Sequence, residues 1–109
     1  LDAMGLPNAE QILAMKDGRH TRYAGLVITR QRPGTAKGVT FMTLEDETGF
    51  VNLVVWQATF EKHPVLARTA AFLGVTGKIQ SQQGVVHLVA DDLWLPELKC
   101  TTTSSRNFR

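Results

Sequence analysis

Val39-Thr40-Phe41-Met42-Thr43-Leu44-Glu45-Asp46-Glu47-Thr48-Gly49-Phe50-Val51-Asn52-Leu53-Val54-Val55-Trp56 is the stretch that decides the fold. It is rich in β-branched and aromatic residues and is interrupted once, at Glu47-Thr48-Gly49, so it encodes two strands joined by a tight turn. Successive side chains of a strand point to opposite faces. Met42 and Leu44 in the first arm, with Val51, Leu53 and Val55 in the second, are the uniformly apolar set and belong inside. Phe41, Thr43 and Glu45, with Phe50, Asn52, Val54 and Trp56, are left facing outward.

On the N-terminal side of the hairpin, Tyr23 to Arg32 reads as a strand, with Gly25 as a place to bend or bulge. The six-residue loop Pro33-Gly34-Thr35-Ala36-Lys37-Gly38 follows. Before the strand, Asn8 followed three residues later by Gln11, with Ile12, Leu13 and Met15 as an apolar stripe, predicts an N-capped short helix ending near Asp17-Gly18. On the C-terminal side, Gln57 to Arg68 has helical spacing that Pro64 divides into two short turns. Ala70 to Gln80 is a fourth strand, Ser81-Gln82-Gln83-Gly84 a turn, and Val85 to Ala90 a fifth strand, with Asp91-Asp92 as its solvated end. The order predicts an all-β small barrel of five strands, with a helix in front and a helical connection between strands three and four, which is the oligonucleotide/oligosaccharide-binding (OB) plan. A ferredoxin-like fold needs its first helix where this chain has only the Pro33–Gly38 loop. The expected organisation is a lead-in over 1–19, the barrel over 20–92 and a polar tail over 93–109, with Thr101-Thr102-Thr103-Ser104-Ser105 as linker.

Composition narrows the function. The chain has 109 residues, 43% apolar and 20% charged, enough for one domain with its own core and too little for a multi-domain enzyme. It starts at Leu1 with no signal-like segment, as expected of a domain excised from a longer polypeptide, and no apolar run has the roughly 20 residues of a membrane-spanning helix. Cys100, the single cysteine, offers neither an internal disulfide nor a cysteine zinc site. The formal charge is only +2, yet Lys16, Arg19, Arg22, Arg30, Arg32 and Lys37 fall between residues 16 and 38 against one acid, Asp17. The positive charge is local, and a local basic segment points to a polyanion.

Combined with the fold, this places Arg30, Arg32 and Lys37 beside the outward face of the hairpin, where they would neutralise phosphates. Phe41 and Trp56 would stack bases there, Asn52 would bond a base edge, and the Gln82-Gln83 turn would flank them. Single-stranded nucleic acid is the expected partner. Glu45-Asp46-Glu47 reads as turn chemistry, not a cation site; His20, His63 and His87 lack ligand spacing, and His87, between Val86 and Leu88, is an outward side chain or a polar group on the binding face; no nucleophile has a placed base. No metal, cofactor or catalytic residue is expected in this fragment.

Arg32-Pro33-Gly34-Thr35-Ala36-Lys37-Gly38, Phe41 to Gly49 and Asn52-Leu53-Val54-Val55-Trp56 together resemble the C-terminal OB domain of bacterial C-family DNA polymerase α subunits, and within it the error-prone, damage-inducible branch. Gly74-Val75-Thr76-Gly77-Lys78-Ile79-Gln80, Val85 to Ala90 and Ser105-Arg106-Asn107-Phe108-Arg109 are similar to the same branch. Gln57 and Asn107 stand where that family is expected to carry proline and aspartate. The resemblance implies a domain that binds the single-stranded template for a translesion polymerase of the bacterial cytoplasm, with Arg30, Arg32 and Lys37 as template contacts. It implies catalytic aspartates and divalent metal ions, Mg among them, in an absent palm domain. The implied partners are single-stranded DNA, the other polymerase domains, translesion accessory proteins and the sliding clamp, with no membrane. The alternatives are an OB module that docks on protein and a tRNA anticodon-binding OB domain.

Overall fold

The computed structural model describes residues 5–32 and 38–96. Lys37, Cys100 and the Ser105–Arg109 ending lie outside the described residues. In chain order the elements are α1 (Ala9–Leu13), β1 (His20–Gln31), β2 (Thr40–Asp46), β3 (Gly49–Val55), α2 (Gln57–Lys62), α3 (Pro64–Thr69), β4 (Phe72–Gln82) and β5 (Val85–Trp94). The five strands close into a barrel in the order β1-β2-β3-β5-β4, every neighbour antiparallel except the β3–β5 pair. None of the described helices is long and apolar enough to cross a membrane.

The inward set is the one the alternation predicts. Met42, Leu44, Val51, Leu53 and Val55 are buried, joined by Tyr23, Leu73, Val75, Ile79, Leu88 and Leu93. Each such side chain contributes about 1.5–3 kcal/mol through removal from water. α1 covers the mouth at the β2–β3 turn and buries Ala9 and Ile12. Its first turn is held by a reciprocal capping box: Asn8 Oδ1 accepts the Gln11 amide at 2.9 Å and Gln11 Oε1 accepts the Asn8 amide at 2.9 Å. The helix stops at Leu13, short of Asp17-Gly18, because the chain beyond it is captured by β4: Gly18 N donates to Ile79 O at 2.7 Å and Ile79 N to Arg19 O at 2.8 Å.

α2 and α3 are the two short turns that Pro64 imposes, with Pro64 in the first turn of α3, where its missing N–H costs nothing. Gln57, in the place where proline was expected, opens α2 and donates through Nε2 to Glu61 Oε2 at 2.9 Å.

Two strand features differ from the expectation. The irregularity of β1 falls at Ile28, between the pairs Val27–Leu44 and Thr29–Thr43, while Gly25 precedes the residue, Leu26, at which β1 changes partner from β4 to β2. Asp91 and Asp92 are not the end of the fifth strand, which runs on to Trp94. The register slips between Thr76–Asp92 and Gly77–Ala90, so Asp91 is the extra residue of a bulge and both acids face solvent while Leu93 returns inside. A pair of adjacent aspartates looks like a strand end unless the bulge is known.

Candidate nucleic-acid interface

Because β1 changes partner at Leu26, the barrel has two halves. One contains the C-terminal half of β1, β2, β3 and the β4–β5 hairpin; its outer surface is built on the Val39–Trp56 stretch. The registers align Thr29 with Thr43, Thr43 with Asn52, Asn52 with His87 and His87 with Gln80. These five outward side chains form an unbroken polar row across all five strands. Thr43 Oγ1 donates to Asn52 Oδ1 at 3.2 Å, which fixes the amide and points its remaining donors outward.

Aromatic groups stand on either side of this row. Phe41, 38% exposed, pairs in register with Val54 and so lies diagonal to both Asn52 and Trp56. Trp56, 45% exposed, is the N-cap residue of α2. On the far side Phe50 is 54% exposed opposite Glu45. Gln80, Gln82, Gln83, Val85 and His87 line a shallow depression at the end of the β4–β5 hairpin. The hairpin turns through Gln83 and Gly84, both with left-handed φ of 52° and 81°, the conformation that a two-residue turn between twisted strands requires.

The predicted site residues are therefore placed as follows. Phe41, Asn52 and Trp56 share one face, and Gln83 sits at its edge. Arg32 reaches across to α2, its guanidinium 4.8 Å from the centroid of the Phe60 ring. Arg30 is drawn elsewhere: it pairs with Met42, an inward position, and its Nε donates to Ala67 O at 2.7 Å while Nη2 donates to Ala70 O. It caps the C-terminal carbonyls of α3, and burial lowers its pKa from the ordinary arginine value. Lys37 lies outside the described residues.

Phe50, Thr43 and Gln80 carry no site reading from sequence, whereas His87, which alternation leaves outward or on the binding face, lies on that face. Alternation alone puts Phe50 outside, so its signal was present. His87 and Gln80 join Asn52 only through the parallel β3–β5 pairing, which no local pattern carries. Asp46 holds the turn, as its cluster was read: Oδ1 accepts the amide and hydroxyl of Thr48, each at 2.8 Å, and Oδ2 accepts the Ala9 amide at 2.8 Å. Burial would raise its carboxyl, but these hydrogen bonds outweigh it and leave the pKa below the ordinary 3.8. Tyr23, buried close to Asp46, has its phenol pushed well above the ordinary range by desolvation and that carboxylate. Among the described residues no group of three or more His, Cys, Asp or Glu converges as metal ligands would.

A closed five-stranded barrel with a helical link after the third strand, and an outward face of aromatics around hydrogen-bonding side chains, defines a class. The chain belongs to the OB-fold nucleic acid binding domain family, whose model matches residues 22–96. Its sequence is similar to error-prone DNA polymerases: 52% identical over 91 residues to that of Caulobacter vibrioides, covering 84% of this chain and 8% of the relative, and 44% identical to that of Methylococcus capsulatus, covering 100% of this chain and 11% of the relative. The chain thus spans about a tenth of the length of these curated relatives. Among solved structures it is similar to the asparaginyl-tRNA synthetase of Pyrococcus horikoshii, with a TM-score of 0.69 and 22% identity over 83% of this chain and 22% of that one, a likeness of fold.

Proposed function

We propose that this domain binds single-stranded DNA, as the template-holding module of an error-prone polymerase that copies damaged DNA in the bacterial cytoplasm. The observation that carries the reading is the polar row Thr29–Thr43–Asn52–His87–Gln80 bordered by Phe41, Trp56 and Phe50. Stacked bases gain about 1–3 kcal/mol each on such aromatics, whatever the sequence. Amide and hydroxyl groups between them bond base edges, and the Arg32–Lys37 segment supplies phosphate contacts. Arg30 fastens α3 instead. Catalysis, with its divalent metal ions, resides in the remainder of the polymerase, and exposed Leu26 and Ile28 on β1 support contact with that remainder or with accessory proteins.

The test is fluorescence anisotropy of a labelled single-stranded oligonucleotide with the full 109-residue chain at low salt. Phe41→Ala is expected to raise Kd by roughly 5- to 150-fold, the equivalent of about 1–3 kcal/mol. Arg32→Ala combined with Lys37→Ala lowers the slope of log Kd against log salt by about 1.4, about 0.7 for each phosphate no longer neutralised. Absence of binding by the unaltered chain at low salt overturns the reading.

A further inference from the structure

We propose that the outer surface of the other half of the barrel, where Arg22 stacks on Trp94, is a second contact for the phosphate backbone of the same strand. The inference rests on the binding reading above and extends it: a strand too long for the aromatic face continues around the barrel onto this one.

This half is made by the N-terminal part of β1, the first part of β4 and the last part of β5. Gly74 pairs with Trp94, and a Cβ on Gly74 would clash with the indole ring at its Cε3, so the glycine lets the ring lie flat on the strand backbone. Trp94 Nε1 donates to Thr76 Oγ1 at 3.0 Å, which sets the ring's rotation. The Arg22 guanidinium lies 4.6 Å from the ring centroid. Stacking occupies the face of a guanidinium and leaves its in-plane N–H groups to point at a ligand, in the fork geometry that fits phosphate. The Arg22 guanidinium has no hydrogen bond or ion pair among the described residues, and Asp92, across Thr76 in the register, is turned to His63 Nε2 at 3.2 Å. An exposed arginine held rigid, with unused donors, has lost in advance much of the conformational freedom that ligand binding would cost.

The surroundings suit a chain-like anion. Lys16 and Arg19 are exposed in the segment that leads into β1 and are likewise without ion pairs among the described residues. Two adjoining depressions share the wall Gly5-Leu6-Pro7 and Thr21; one opens beside Arg19 and the other beside Arg22 and Thr76. They form a trough that joins the two arginines. The one acid in this basic run, Asp17, has its Oδ1 engaged by the Ser81 amide at 2.8 Å.

The experiment compares oligothymidylates of about 5 and about 16 nucleotides, the range of site sizes on one OB fold. Binding to the full chain is read by anisotropy across a salt series, with thermal melting to show that each variant is folded. For the longer strand, Arg19→Ala combined with Arg22→Ala is expected to raise Kd about 10-fold at low salt. The log–log salt slope should fall by about 1.4, two phosphates at about 0.7 each. For the shorter strand, seated on the aromatic face, both quantities stay as in the unaltered chain, whereas Phe41→Ala weakens both strands. Arg22→Lys, which keeps the charge and loses the planar edge, keeps the slope and loses affinity. If the longer strand has the same affinity and slope in the double variant as in the unaltered chain, this inference falls while the aromatic-face reading stands, and the patch fits an acidic protein segment instead. If the unaltered chain binds neither strand, both fall.

Discussion

Asp46 ends β2 with its two oxygens committed to different elements, Oδ1 to the β2–β3 turn at Thr48 and Oδ2 to the first amide of α1. Those bonds exist for the carboxylate, so the folded pKa lies below the unfolded one. The stability they supply is fully present above the unfolded value near 3.8 and is lost as pH falls through the depressed folded value. Asp46→Ala is therefore expected to cost about 1–2 kcal/mol at neutral pH, as removal of capping and charge-assisted bonds does, and to flatten the acid limb of stability. Urea melts of the two proteins from neutral pH down to about 3 measure both effects. At this scale the sequence was most informative where chemistry is local. The Asn8–Gln11 capping box and the turn role of Asp46 depend on neighbours within a few residues. Arg30 and Arg32 read alike as phosphate contacts, yet their places on β1 and just past its end send them to different tasks. Which residues of β1 face inward there is set by the bulge at Ile28, a property of the β1–β2 register.

At the scale of elements, α2 and α3 are six residues each, too short to hold themselves together in water. They are fastened from outside: Arg30 binds the last carbonyls of α3, Lys62 Nζ donates to Asp91 O at 2.8 Å, and Thr59 Oγ1 to Ala90 O at 3.3 Å. Removing Arg30 leaves the Ala67 and Ala70 carbonyls without their charged donor. Arg30→Ala is expected to lower stability by about 1.5–3 kcal/mol, the usual range for bonds to charged groups. Arg32→Ala, which gives up only the stacking of the guanidinium on Phe60, costs less, about 0.5–1 kcal/mol. Calorimetry of the two variants separates a fastening arginine from one free for ligand. The strands themselves were legible, since the hairpin and its inward set follow from alternation and the break at Pro64 from proline's missing N–H. Strand ends were less so. β1 begins earlier and β5 ends later than their sequences suggest because β4 pairs with both, His20 with Lys78 and Trp94 with Gly74, and these partners are remote in sequence.

For the whole molecule, the net charge of +2 conceals a division of labour. Within the basic run from Lys16 to Arg32, Arg32 stands at one end of the aromatic face, Arg30 is committed to α3, and Arg19 and Arg22 stand on the other half-barrel. A ligand that binds only the folded barrel stabilises it by mass action, about 2.7 kcal/mol at a hundredfold excess over Kd. Single-stranded DNA is therefore expected to raise the melting temperature of the full chain, and a duplex of equal length, whose bases are stacked away, to raise it less. Differential scanning fluorimetry at low salt reads the difference. The barrel's closure was legible as a fold type, but the joining of Asn52, His87 and Gln80 was not, because it is made by closure itself. That closure also sets the two tryptophans on different halves of the barrel: Trp56 open to solvent beside Phe41, Trp94 pressed between a strand backbone and a guanidinium. The molecule thereby carries two intrinsic chromophores in contrasting surroundings: Trp56 is expected to emit further to the red and to be open to iodide quenching, Trp94 to be shielded. Replacing either with phenylalanine leaves a label-free optical reporter of events on a single face.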